Sequence, residues 1–507
     1  MKVLHIIPAL TLGGASRALL ILVQSLAKTS DLQQSVLSLM PVGAQARELA
    51  ARHGIEQICD RNSEIELHHA IAAAEIVQIH FWNHPQLYQF LQKPFPAARI
   101  VFWCHIGGVT LPQVLSPEII DFADQVVATS TYTVEKLRDH QEATRADSID
   151  VIPACTDFKR LLPFERQDHS GYNVGFIGTT TPNKIHPDFV RMSAEIGVPG
   201  IRFIVCGGES GCRTLQRQAS QLGVSDKFQF LGYREDIQSV LATLDVFGYP
   251  LCPDNYSTVE LVLQETMAMG VPPVVFNYGG AARTVIHNQT GLVVCNQADY
   301  KNAITYLYHN PRERKRLGNQ AQQYIQKEFS PARLANAWLR VYERLCQRPK
   351  RSRQLFSAEQ LEGSRLFVPT LGNLGNYFRA NATSTNLQEL INTDDMIACS
   401  FPALCDRRGG GLLHYQEAYP RDTFLAFWVG LTYQYQGDNI RALASFSQAK
   451  KLGFSHWRIE GYLLRSSLAI KAKPLIDQYL TTVAPYVYHD TELSQRFQLK
   501  EAWATRY

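Results

Sequence analysis

No stretch of this 507-residue chain reaches 18 uninterrupted apolar residues, so the sequence predicts no transmembrane helix. The opening MKVLHIIPALTLGG has one lysine and a short apolar run. It lacks the length and the small-residue cleavage site of a signal peptide and reads as a buried first strand. Paired thiols are also lacking. The ten cysteines are spread from Cys59 to Cys405, with no CxxC spacing and no histidine at zinc-ligand distance. That argues against a disulfide framework or a structural metal and favours reduced thiols and a cytoplasmic location. An excess of one charge is missing too. Fifty basic against 46 acidic side chains leave +4, which is no concentrated footprint for nucleic acid. What remains is globular: 45% of residues are hydrophobic and 19% charged, and the length suits roughly three domains of about 150 residues.

Short apolar runs at 2–9, 34–40, 75–80, 99–104, 125–129 and 148–152 read as buried strands, with amphipathic helical segments between several of them. A second series begins at 173 and continues at 202–206, 228–231, 245–249, 273–276 and 292–294. Helices fit 186–196, 211–222, 235–243, 258–269 and 299–308. The pattern predicts two successive doubly wound α/β units, 1–163 and 164–330, closed by a helical tract at 311–346. Residues 347–410 read as a linker, and 354–410 show no period. In the last part, 411–507, Gly430, Tyr433, Gly437, Ala442, Phe446 and Ala449 match the interior positions of a tetratricopeptide repeat. A generic helical hairpin is the alternative. A single repeat needs stacked neighbours, which 457–507 and 385–420 are expected to supply. The module is expected to dock on a partner protein, on a second copy of the chain, or on the α/β units.

The richest segment is PDNYSTVELVLQETMAMGVPPVVFNYGGAARTV, 253–285. Glu265 falls inside the helix predicted at 258–269. Ser257 and Glu260 have the S-x-x-E spacing of a capping box. Lys184 follows a strand-end turn, where a compact ammonium suits phosphate charge. Helix starts attract phosphate through unpaired amides and the helix dipole. Gly13 and Gly14, and the Tyr256, Ser257 and Thr258 segment, are placed to offer such amides to a cleft, with Arg17 nearby. His105 ends the strand VFWCH just before Gly107 and Gly108; strand ends are where ligands bind in open α/β sheets. His80 has a similar position and is a weaker candidate on an acceptor side. Gly207, Gly208 and Glu209 follow another strand. The basic run Arg340, Arg344, Arg348, Lys350, Arg351, Arg353 reads as a solvated linker, with contact to an anionic membrane surface as the alternative.

Over residues 1–346 these motifs together, with VIPACTDF at 151–158 and GFIGTTTPNK at 175–184, resemble the retaining family-four glycosyltransferases of the GT-B fold. The resemblance implies a nucleotide-diphosphate sugar as donor and a glycan, lipid-linked, small-molecule or protein hydroxyl as acceptor, with polysaccharide biosynthesis as a setting. It implies no metal and no separate cofactor. It implies that Glu265 holds the donor ribose, that Lys184 and His105 attend the diphosphate and sugar, and that Gly207 and Gly208 lie near the nucleobase. The chain departs from the family at two positions. Ser257 stands where the family has its first motif glutamate, and Thr179 stands where it has an arginine. Glu260 or Asp254 is the alternative carboxylate. The departures leave open a nucleotide-sugar-binding or scaffold protein without catalysis. Arg283 stands where many members have a glutamate.

Overall fold

In a computed structural model the chain is described at all residues except 61–62, 140–145, 162–165, 182–183, 357–361, 401–403, 405–406 and 507. The domain boundary expected near Pro163, and Pro182 and Asn183 of the GFIGTTTPNK motif, lie outside the described residues. The chain divides into two compact units, the first built from Met1–Trp82, Pro94–Thr110 and Pro117–Gln354.

The first unit holds two parallel sheets. The seven-stranded one runs Ile149–Val151, Gln125–Ala128, Ile100–Cys104, Ile76–Phe81, Lys2–Ile7, Gln33–Ser38, Ile58–Cys59. The six-stranded one runs Phe228–Gly232, Ile201–Cys206, Tyr172–Ile177, Val246–Tyr249, Pro273–Phe276, Leu292–Val294. Central strands such as VLHII and IVFWC are buried along their length, because helices cover both faces of a parallel sheet. In each sheet the chain reverses its winding once, between Lys2–Ile7 and Ile76–Phe81 in the first and between Tyr172–Ile177 and Val246–Tyr249 in the second. These are the two points where such sheets open a crevice at their carboxyl ends.

The helical tract expected at 311–346 is two helices, Pro311–Glu328 and Pro331–Cys346, the second over the 331–346 expected for a closing helix. Ser330 caps the second, and Pro331 at its first turn ends the first, since proline supplies no amide to continue a helix. The second helix is strongly amphipathic. Trp338, Val341, Tyr342 and Leu345 enter the core with Leu22, Leu26 and Trp103.

The basic run is no solvated linker. Arg351–Arg353 forms a strand against Phe95–Ala98, Arg351 and Arg353 both pair with the buried Asp124, Lys350 donates to the carbonyls of Ala72 and Ala74, and Arg344 pairs with Asp150. Arg348 also donates to the Asp124 carbonyl. No helix among the described residues is long and apolar enough to cross a membrane, and every described cysteine is unpaired.

The second unit is discontinuous in sequence: Asn83–Lys93 and Leu111–Ser116 join Leu355–Tyr507. The aperiodic stretch contributes the helices Gly363–Phe367, Gly375–Thr383 and Leu387–Cys399. Their signal is weak because short pieces are broken by a 3-10 segment and by Gly372 at positive φ. Further on, Thr423–Tyr435 with Asn439–Lys451 and Arg458–Ala469 with Lys473–Val487 make successive helical pairs spaced by roughly the 34 residues of the repeat. Gly430 admits Phe446, whose ring would lie 2.5 Å from an added Cβ, and Ala442 and Ala449 are fully buried. At the centre, buried Asp394 is held by Arg458 (3.1 Å), Tyr462 (2.9 Å) and Asn381 (2.6 Å).

Candidate functional site

The second sheet's crevice is built around a buried charge cluster. After the strand Tyr172–Ile177 the chain turns at Gly178 and comes back against the segment that follows Val246–Tyr249. His186 donates its amide to the carbonyl of Pro250 (2.9 Å), and Cys252 donates to that of Lys184 (2.8 Å). These bonds hold Lys184 beside the switch point. Its Nζ donates to both carboxylate oxygens of Glu260, at 3.0 and 2.9 Å, and Tyr249 Oη donates to Glu260 Oε2 at 2.9 Å. The lysine and glutamate side chains are only 14% and 12% exposed. Burial by itself pushes the Glu260 carboxyl up; the Lys184 charge and hydrogen bond outweigh it and hold the carboxyl below its ordinary value.

The expected capping box is absent. The helix starts at Leu261, and Glu260 occupies the N-cap position without a side-chain cap bond. Its carboxylate is drawn away by Lys184 and Tyr249, a stronger partner than an amide. Tyr256–Thr258 is therefore no helix start, and the Ser257 amide donates to Asn255 Oδ1 instead (3.0 Å). The segment is clamped between the halves. Gly107 donates to the Tyr256 carbonyl (2.9 Å), the Thr129 and Thr258 hydroxyls lie 2.6 Å apart, and Gly280 abuts the Thr258 backbone so closely that a Cβ would come within 2.5 Å.

Glu265 is buried, at 4% exposure. Its Oε1 accepts from Thr156 Oγ1 at 2.9 Å and from Arg160. Neighbouring Gln264 accepts the Thr156 amide and donates to the Ala154 carbonyl. The VIPACTDF motif and the glutamate helix thus bind one another.

Two glycine turns behave differently. Gly207 packs on Thr180 and Gly178, where a Cβ would lie at 2.5–2.6 Å; its glycine is a packing requirement. Gly208 has open space around it and precedes the helix Glu209–Gln221 with no side-chain cap. Gly13 likewise precedes Gly14–Thr29 without a side-chain cap. Thr11, Ser16 and Arg17 brace that turn, with Arg17 Nε donating to the Leu12 carbonyl.

In the first sheet, His105 lies 2.9 Å from His80, Nε2 to Nδ1, with rings nearly parallel. His5 adjoins His80 on the next strand. Burial pushes His105 down to about 3 and His5 to about 4. His105 is therefore a neutral imidazole at pH 7, a hydrogen-bonding group and not a cation. His80 is fully buried, which removes it from any acceptor surface and makes it the partner that holds His105. Arg283, unexplained by the sequence, pairs with Glu135 (2.7 Å) across the two sheets' helices.

Lys184 is thus brought together with Glu260, and Gly107 after His105 with the Tyr256–Thr258 segment; Glu265 joins a separate cluster. Tyr249, Thr156 and Arg160 escaped the sequence reading. Tyr249 reads as the end of a buried strand. Arg160 had one available signal, its place just after VIPACTDF.

Residues 159–324 match the family model of glycosyl transferases group 1. The chain is 27% identical over 301 residues to D-inositol 3-phosphate glycosyltransferase of Mycolicibacterium smegmatis, covering 53% of this chain and 67% of that protein. It is 29% identical over 221 residues to GDP-mannose-dependent alpha-(1-6)-phosphatidylinositol monomannoside mannosyltransferase of Mycobacterium tuberculosis, covering 39% and 57%. Another D-inositol 3-phosphate glycosyltransferase, of Mycobacteroides abscessus, is matched over only 42% of its length. Among solved structures, HepE of Anabaena in complex with UDP-glucose superposes with a TM-score of 0.55 at 18% identity, over 68% of this chain and all of that one. Sucrose-phosphate synthase of Thermosynechococcus elongatus gives 0.54 at 18% identity, over 68% and 99%. The two parallel sheets form a GT-B fold, and within it the stretch 159–324 is similar to the glycosyl transferases group 1 family.

Proposed function

We propose that this chain moves a sugar from a nucleoside-diphosphate donor to a hydroxyl acceptor with retention of configuration and without a metal. The observation that carries the reading is the Lys184–Glu260–Tyr249 cluster at the switch point of the second sheet. The named relatives use GDP-mannose or act on inositol phosphate, and HepE holds UDP-glucose, which supports a nucleotide sugar here. In the reaction the bond from the anomeric carbon to the diphosphate oxygen breaks, a bond to the acceptor oxygen forms, and the acceptor's proton leaves with the diphosphate. Lys184 and the uncapped amides after Gly13 and Gly208 carry the departing charge, which is electrostatic stabilisation by groups fixed in advance. Glu260 takes over the carboxylate role that Ser257 cannot fill. Neutral His105 orients a sugar hydroxyl, and Glu265 offers its second oxygen to the ribose. The repeat-like helices of the second unit are read as tetratricopeptide-like hairpins. A thermal-shift screen against UDP-, GDP- and ADP-sugars tests donor binding, since a ligand of the native state raises the melting temperature. Release of nucleoside diphosphate then tests chemistry, and Lys184→Ala should abolish it. Ser257 and Thr179 favour a second reading, a nucleotide-sugar-binding scaffold; tight donor binding with no hydrolysis or transfer over a broad acceptor panel would establish it instead.

A further inference from the structure

The second unit carries a groove that the reading above leaves unused. A cavity of about 670 Å³ lies between the helices Gly375–Thr383 and Leu387–Cys399, lined by Asn376, Tyr377, Gln388, Glu389, Asn392 and their neighbours. That volume falls within the roughly 300–1,000 Å³ of small-molecule sites.

The lining chemistry narrows the occupant. Among the described residues no lysine or arginine lines the groove, and the nearby Arg379 is engaged by Asn376, so it is ill-suited to phosphate or nucleic acid, which demand cations. It offers carboxamides and one carboxylate instead. A carboxamide both donates and accepts, which matches the hydroxyl, itself donor and acceptor. Tyr377 is 40% exposed beside them, and a flat ring with a polar tip stacks on the C–H face of a pyranose while its edge stays wet.

The polar groups are held in place before any ligand arrives. Gln388 Nε2 donates to Asn392 Oδ1 (3.2 Å), Ser384 Oγ donates to Glu389 Oε2 (2.6 Å), and Arg379 donates to Asn376 Oδ1 (3.0 Å). Each bond uses one end of a bifunctional group and leaves the other for a ligand: the Asn376 and Asn392 amide N–H groups and the second Glu389 oxygen. Pre-orientation of this kind lowers the ordering cost of binding.

We propose that this groove is a binding site for a neutral oligosaccharide, separate from the crevice around Lys184. Binding there is read without turnover, so the proposal stands or falls apart from the transferase reading.

The test is saturation-transfer NMR and calorimetry on the full chain with neutral tri- and tetrasaccharides of glucose, galactose, mannose and N-acetylglucosamine. At least one should bind, Tyr377→Ala and Asn392→Ala should each weaken it tenfold or more, and Lys184→Ala should leave it unchanged. Circular dichroism checks that the variants fold; if Tyr377→Ala does not, Tyr377→Phe should retain binding and Gln388→Ala should lose it. No binding by any sugar of the panel overturns the proposal, as does binding that survives both groove substitutions or that disappears in Lys184→Ala.

Discussion

Lys184 and Glu260 each lose most of their water to the fold, and each is satisfied chiefly by the other. Removing one partner leaves the second as an uncompensated buried charge. Lys184→Ala is therefore expected to lower stability by roughly 3 kcal/mol, and Lys184→Met with Glu260→Leu by clearly less. Urea melts of the two variants check this; equal losses would mean that the pair is solvated and contributes little. The histidines give a different pH signature. Burial holds His5 near 4, His105 near 3 and His80 well below its ordinary value of 6.5. Between pH 6.5 and about 4 the unfolded chain takes up protons that the folded chain refuses. Stability therefore falls as pH drops through that window, by up to about 1.4 kcal/mol per pH unit for each such histidine. Glu260 acts lower down. Its depressed carboxyl adds stability above its ordinary value of 4.5, and that contribution is lost as pH falls below it. Melts from pH 7.5 to 5 should show a shallower slope in His5→Gln than in the wild type; parallel slopes would mean that the stack is hydrated and titrates normally.

At the scale of elements, the decisive piece is the loop before the helix Leu261–Ala268. It threads between Gly107 on one side and Gly279 and Gly280 on the other. Gly280→Ala would drive a methyl into the Thr258 backbone, 2.5 Å away. Neither backbone can yield like a flexible side chain. A cost of about 1–3 kcal/mol is expected, with a loss of donor affinity of at least tenfold, because displaced Thr258 drags Glu260 from Lys184. Calorimetry of the variant against a donor that binds the wild type would decide it. Unchanged affinity would detach the loop from the donor site.

For the whole molecule, the discontinuity of the second unit has a practical result. Asn83 is bound by Tyr415 (2.8 Å), Gln113 and the Gly410 carbonyl, and helix Pro85–Leu91 buries Leu87, Tyr88 and Leu91 in a unit whose other members are Leu111–Ser116 and Leu355–Tyr507. A chain ending at 410, which the sequence suggests is a clean truncation, should thus expose this helix and aggregate. Size-exclusion chromatography of residues 1–410 checks it; a soluble monomer with the full-length melting temperature for the α/β part would show that the helix needs no partner.

The alternation of buried runs and helical periods determined both sheets nearly strand for strand: the runs at 273–276 and 292–294 are strands over those same residues, and the glycine pair at 13–14 marked one uncapped helix start, whereas the start expected at Tyr256–Thr258 falls at Leu261. Such features are local, set by which side chains a short stretch can hide and which backbone angles it can reach. Local pattern also picked out His105 as a polar residue at the end of a buried run and Lys184 as a cation after a strand-end turn. Local pattern did not reveal who meets whom. Only the tertiary structure decided that Glu260 turns to Lys184 and Tyr249 and leaves Ser257 uncapped, that Glu265 answers Arg160 from 105 residues away, and that the basic tail binds Asp124. A charge takes the strongest partner that folding brings within reach, and sequence spacing carries no record of which one that will be.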